Sequence, residues 1–367
     1  MIGFSRICRG KTVLSSTIGR TTSAVQKRGY ESLTVISQKT TRGGIVKEQI
    51  HPDRPQRLPH FLKHPRTCSV VGMPFSWGQP RGGTDQGPEL MRNRGLGDYV
   101  TKLEWRLENR GDLQFEVDKP KIKYNLKNAY AVGQACEKLA NETYELASSG
   151  RFPLVIGGDH SIALGSIAGI LRARPDLAIV WVDAHADINT PETSPSGNLH
   201  GMPISFLMGL TDVIPPGFEW LQDYPKLDPE NLAFIGLRDV DPGEREKISE
   251  LGIKAYSMYH VDRYGIGQVM EHCIHSFLKD GKERPIHLSY DIDAVDPDHA
   301  PATGTMVRGG FTLREAHYIA ERLAETGMLG SMDIVEVNPT LSHSDGANAT
   351  VELGIHLVAS ALGNKIL

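Results

Sequence analysis

Cysteine is scarce in this chain, and the four present, Cys8, Cys68, Cys136 and Cys273, share no C-x-x-C spacing. That argues against a disulfide framework or a structural zinc site and favours a reduced compartment. Long apolar runs are missing too. None approaches the roughly 20 residues needed to span a bilayer, and segments such as Ala178 to Val182 have the length of buried strands. No Lys/Arg-rich run makes a basic patch, and a formal net charge of −4 gives no reason to expect nucleic acid as a partner. Neither internal repeats nor a Gly/Pro-rich boundary divides the chain, so one α/β domain is expected.

Acid is what the amino terminus lacks. None occurs before Glu31, whereas Arg6, Arg9, Lys11, Arg20, Lys27 and Arg28 stand among many Ser and Thr. An Arg-rich, Ser-rich, acid-poor start has the composition of a mitochondrial transit peptide. Arg28-Gly29-Tyr30 resembles the Arg-x-aromatic pattern that precedes matrix-peptidase cleavage. The expectation is a presequence over residues 1–30 and a protein of the mitochondrial matrix. Taking those six basic residues from 40 Lys+Arg leaves 34 against 44 Asp+Glu, a mature charge of −10. Residues 31–66 are polar and contain Pro and His, which reads as a linker or arm. The packed domain is expected over 67–367.

What the chain does contain is alternation. Short apolar runs (Ser69–Gly72, Leu154–Ile156, Ala178–Val182, Leu232–Leu237, Ile286–Leu288, Met332–Val335) alternate with amphipathic stretches such as Leu126–Ser148, Glu244–Leu251, Val261–Leu278 and Leu313–Thr326. Continuous apolar strands between helices mean a three-layer α/β/α fold with a mostly parallel central sheet. Polar residues fall where those runs end: Asp159-His160, then Asp183, then Asp239 and Asp241, then Asp291 and Asp293, then Glu336. In open α/β sheets the site lies beyond the carboxyl ends of the strands. Five strands would therefore deliver acids or histidines to one edge.

In Asp183-Ala184-His185-Ala186-Asp187, residues i, i+2 and i+4 of an extended segment would face one point, and Asp291-Ile292-Asp293 repeats the device. Singly, either motif could be a solvated turn. Together, so many buried carboxylates would have to take up protons unless cations were present. A set richer in carboxylate than in histidine, with no cysteine, favours manganese or magnesium over structural zinc. Two ions roughly 3.5–4 Å apart with bridging carboxylates fit six ligands better than one.

At this point the sequence resembles the ureohydrolases, and arginase most closely within them, from about Val70 to Leu362. The resemblance rests on Gly157-Gly158-Asp159-His160-Ser161, Asp183-Ala184-His185-Ala186-Asp187-Ile188-Asn189 and Ser196-Gly197-Asn198-Leu199-His200-Gly201. It continues in Gly236-Leu237-Arg238-Asp239-Val240-Asp241-Pro242-Gly243-Glu244, Ser289-Tyr290-Asp291-Ile292-Asp293 and Pro301-Ala302-Thr303-Gly304-Thr305, with Gly78-Gln79-Pro80-Arg81-Gly82-Gly83 upstream. It implies an arginase/deacetylase-like fold and two Mn2+ per subunit. One ion would be held by His160, Asp183, Asp187 and Asp291, the second by His185, Asp183, Asp291 and Asp293. It further implies hydrolysis of L-arginine to L-ornithine and urea by a hydroxide shared between the ions, oriented by Asp187. By the same resemblance His200 is the general acid and proton shuttle, and Glu336 pairs with the guanidinium. Asn189 and Ser196 would serve the α-carboxylate, Asp239, Asp241 and Glu244 the α-ammonium, with Thr305 also on the substrate side.

Met306 and Tyr290 stand where proline and phenylalanine are common in the family, and neither supplies a ligand. The family's tail carries an arginine at the subunit contact where this chain has Gly363-Asn364-Lys365, yet a homotrimer is still implied. The rival readings are an agmatinase or other guanidino-compound hydrolase, a catalytically silent binder, and a one-metal deacetylase. The intact Ser-Gly-Asn and Asp-Val-Asp-Pro-Gly-Glu stretches favour arginine over agmatine.

Overall fold

A computed structural model of the chain describes residues 57–115, 122–123, 125–278 and 281–365. The expected presequence and most of the expected arm lie outside these residues. The strands are β1 (Thr67–Gly72), β2 (Arg106–Asp112), β3 (Ile122–Lys123), β4 (Leu126–Lys127), β5 (Phe152–Ile156), β6 (Ala178–Val182), β7 (Leu232–Leu237), β8 (Lys254–Ser257), β9 (Ile286–Asp291) and β10 (Leu329–Val335). Eight of them form one sheet in the order β2-β1-β5-β10-β9-β6-β7-β8. Every pairing in it is parallel, beyond the mostly parallel arrangement expected. Among the described residues only the small β3–β4 pair is antiparallel.

The apolar runs become strands because both of their faces are covered. Along β6, Ala178, Val180 and Val182 enter one core, and Ile179 and Trp181 enter the other. The first core is closed by α1 (Gly87–Asn93), α2 (Leu96–Lys102), α7 (Met258–Ser276), α8 (Leu313–Thr326) and α9 (Ser344–Ala361). The second is closed by α3 (Ala129–Ser148), α4 (Ala163–Ala173), α5 (Pro203–Met208) and α6 (Pro242–Leu251).

Two strands of this sheet escape the sequence pattern. Both β2 and β8 are sheet edges, half-buried or exposed, so neither needs a continuous apolar run. Helix α3 starts at Ala129 rather than Leu126, because Leu126–Lys127 pairs with β3 and Asn128 turns through a left-handed conformation (φ 57°). Residues 57–66 of the expected arm dock on the body: Leu62 is buried, and the Arg57 guanidinium donates to the Glu283 carboxylate (2.6 and 2.9 Å). The packed region therefore begins before Thr67.

After β5 the chain skips two sheet positions to β6, winds outward through β7 and β8, and returns to fill the gap with β9 and β10. The carboxyl ends of β5, β10, β9, β6 and β7 then stand side by side. That is where a crevice opens in a doubly wound sheet.

Candidate metal centre

Three of these strand ends close in the same way. Asp159, Asp183 and Asp291 each accept, through one carboxylate oxygen, the backbone N–H two residues on: Ser161 (3.0 Å), His185 (2.7 Å) and Asp293 (2.7 Å). Such Asx turns stop an extended chain sharply. The second oxygens of Asp183 and Asp291 face His160 Nδ1 at the centre, whereas Asp159 spends its own on the Gly78 N–H (2.8 Å) and is structural.

The turns also correct the expectation that Asp183, His185 and Asp187 converge by extended alternation. The segment bends after Val182, and Asp187 has φ 50°. Convergence comes from turn geometry and a left-handed residue, a strained backbone typical of functional sites.

His160 Nδ1 lies 3.0 Å from Asp183 Oδ2, 3.1 Å from Asp291 Oδ2 and 3.2 Å from Asp187 Oδ2. His185 Nδ1 lies 3.3 Å from Asp183 Oδ1 and 3.2 Å from Asp293 Oδ2. All six expected ligands are thus brought together. Ligand atoms of His160, Asp183 and Asp187 form one close group and those of Asp183, His185 and Asp293 a second, so Asp183 is shared. His160 Nδ1 is buried and makes no hydrogen bond despite its three oxygen neighbours. The donors face a common point rather than one another.

Charge balance leads to the same conclusion. Burial, with Asp183 alongside, pushes the Asp187 carboxyl up to about 6, and burial with Asp293 and Asp183 raises Asp291 well above the carboxylate range. Burial opposes charge on His160 and His185 as well, but the facing carboxylates outweigh it and raise both. Left to itself the cluster must store protons. Divalent cations, which require deprotonated ligands, fit the donor set without that cost.

Over the centre lies a cavity of about 150 Å³ walled by His185, Asp187, Asn189, Ser196, His200, Asp239, Asp241, Glu244, Asp291 and Thr305, among others. Thr305 Oγ1 donates to Asp293 Oδ2 (2.8 Å), and Asn189 Nδ2 donates to Asp241 Oδ2 (2.9 Å). Glu244 is committed to the backbone, accepting from Asp241 N (2.9 Å) and Ile188 N (3.1 Å) in the capping box of α6. Burial pushes its carboxyl up to about 7.

Glu336, in a left-handed conformation (φ 62°), stands behind His200. Its Oε1 lies 3.3 Å from His200 Nδ1 and accepts from His160 N (2.9 Å), while Oε2 accepts from Gln79 Nε2 (2.7 Å). Burial opposes the His200 imidazolium, but Glu336, with Asp187 and Asp159 beyond, holds its pKa above the ordinary histidine value.

A family model described as "Arginase family" matches residues 66–363. The chain belongs to the arginase family. It is 50% identical over 303 residues to "Arginase, hepatic" of Aquarana catesbeiana, covering 81% of this chain and 93% of that one. It is 47% identical over 303 residues to "Arginase-1" of Homo sapiens, with the same two coverages of 81% and 93%. An arginase from Bacillus caldovelox superposes with a TM-score of 0.76 at 41% identity, covering 82% of this chain and 99% of that one. As an arginase-family member the chain carries a binuclear metal site.

The supporting roles of some residues were not legible from motifs. The Trp181 ring stacks on His160 (centroids 4.0 Å apart) and its Nε1 donates to Asp183 Oδ2 (3.0 Å). Ser289 and Asp333 lie behind His160, and Gln79 lies behind Glu336. A signal existed: His287, Ser289, Ser331 and Asp333 are polar residues inside strand runs. Apolar strands have no reason to carry these unless they bond one another.

Proposed function

We infer that this protein is a manganese-dependent arginase, hydrolysing L-arginine to L-ornithine and urea. The observation that carries the reading is the pair of overlapping His/carboxylate groups sharing Asp183 on the floor of a polar cavity. The carboxylate-rich donors suit manganese, which is also the family trait. His160, Asp183, Asp187 and Asp291 would hold one ion, and His185, Asp183, Asp291 and Asp293 the other. Bound there, the ions supply Lewis acidity and bring the pKa of water towards neutrality.

The chain's own residues do the rest. Arginine differs from agmatine by its α-carboxylate, and the cavity lining offers uncharged donors at Asn189 and Ser196. Asp239 and Asp241, on the same wall, suit the α-ammonium, and Glu244 holds the loop that presents Asp241. Water attacks the guanidinium carbon, oriented by Asp187. The departing amine of ornithine takes a proton from His200, whose Nδ1 is engaged by Glu336. The resemblance pairs Glu336 with the guanidinium itself; its carboxylate lies against His200 and is not among the residues that line the cavity.

The test is urea release from L-arginine, agmatine and D-arginine by the manganese-loaded full chain, with His185→Asn and Asp293→Ala as controls. Urea from L-arginine alone, lost on chelation and in both variants, is expected. Urea from agmatine would mean the α-group wall is misassigned, and none from any substrate would leave a silent binder.

A homotrimer, implied by the resemblance, and a matrix address, supported by the composition of residues 1–30, complete the reading. Light scattering and the import of a reporter fused to residues 1–30 test them.

A further inference from the structure

We propose that Asp333, buried at the centre of the sheet and outside the ligand set, is a positioning residue for the metal centre, acting through Ser289 on His160. The inference rests on the two-ion reading above. His160 Nε2 lies 3.0 Å from Ser289 Oγ, and the Ser289 hydroxyl donates to Asp333 Oδ1 (2.6 Å). Asp333 Oδ2 accepts from Ser166 Oγ (2.5 Å) and faces His287 Nε2 (2.9 Å), whose Nδ1 lies 3.0 Å from Ser331 Oγ. Each of these six residues is no more than 1% exposed. Strand register makes the network, since Ser331 pairs with His287 and Asp333 with Ser289 across β10 and β9.

Donor counting fixes the direction of the chain of bonds. A carboxylate ringed by donors accepts only, so the single Ser289 proton points to Asp333. Ser289 Oγ must then accept from His160, which places the His160 proton on Nε2. The Nδ1 lone pair is left bare on the side where Asp183, Asp187 and Asp291 converge. His160 therefore reaches the centre in the ligating tautomer, and the negative charge relayed from Asp333 makes it a more basic donor. Removing such outer partners typically costs about 10- to 100-fold in metal affinity.

Asp333→Asn and Ser289→Ala each test the relay, and Ser166→Ala serves as the comparison, because Ser166 touches Asp333 on the side away from Ser289. Manganese is titrated into each metal-free protein by equilibrium dialysis, and the manganese EPR spectrum distinguishes a coupled pair from an isolated ion. The wild type should bind two ions. Both relay variants should lose roughly 10- to 100-fold in affinity for one of them and show an isolated-ion spectrum at limiting manganese. Ser166→Ala should keep the coupled pair. Two ions at wild-type affinity in Asp333→Asn, or in Ser289→Ala where Asp333→Asn fails to fold, overturn the relay. Equal loss in Ser166→Ala also overturns it, since the effect would then be general damage to the sheet. A wild type that binds no second ion overturns the two-ion reading instead, a result separate from these.

Discussion

The floor and the wall of the cavity are built on different principles. Floor residues sit at strand ends, are almost all buried, and carry partners on both sides: Asp183 alone is held by the Trp181 indole and the His185 backbone and faces two imidazoles. Wall residues sit in loops or at the start of α6, and among them Ser196 and Asp239 are exposed, whereas Asn189 and Glu244 are buried and bonded. The floor is over-determined, as a centre with fixed geometry requires. The wall is less uniformly buried, and on the proposed reading substrate choice resides there. The comparison implies that damage to the floor should remove chemistry outright, whereas damage to the wall should shift preference between substrates.

The largest effect is expected where one side chain serves both ligand groups. Asp183→Asn should remove both ions and lower urea release by more than the roughly 100-fold that outer partners cost. Manganese content and turnover, measured on the same sample, check it. A variant that keeps both ions and its turnover would mean that Asp183 is not shared. Next comes His200, which sits where floor meets wall. His200→Ala should lower kcat by about 100- to 10,000-fold, the range for a lost general acid, with manganese content unchanged. Loss of metal along with rate would move His200 into the floor.

A wall substitution should behave otherwise. Ser196→Ala removes one exposed hydroxyl whose oxygen accepts from the Asn198 N–H (3.2 Å). It should weaken L-arginine by about 0.5–1.5 kcal/mol, the net worth of one hydrogen bond. KM should rise up to roughly ten-fold at constant kcat and metal content. A fall in kcat at constant KM would show the wall taking part in chemistry rather than selection.

The same division explains what the sequence discloses. Strands β6 and β7 were legible residue for residue because both faces are packed, and the ligands were legible because each follows such a run. The edge strands β2 and β8 were not, since a half-exposed strand need not be apolar. The convergence of Asp183, His185 and Asp187 was legible but not its cause, because a left-handed Asp187 leaves no mark in composition. Asp333 was hidden for a third reason: its role depends on register against Ser289, a pairing between residues far apart in the chain. Glu336 was found at its strand end, but its commitment to Gln79 and His200 becomes visible only once β5 and β10 lie side by side.

The smallest effect is expected one residue from a ligand. Tyr290 precedes Asp291 on β9 yet points into the opposite core, where it is fully buried and its hydroxyl donates to the Ala316 carbonyl on α8 (3.4 Å). At that length the bond is weak, and the Ala316 carbonyl, inside α8, keeps its helical donor when the hydroxyl is removed. Tyr290→Phe conserves the packed ring, so stability in a urea titration should change by no more than about 1 kcal/mol. Manganese affinity and kcat should match the wild type, because strand alternation insulates Asp291 from its neighbour's side chain. If this variant instead lost manganese, the floor would depend on packing from the far face of the sheet. Its rigidity would then be a property of the whole core rather than of the partners around each ligand.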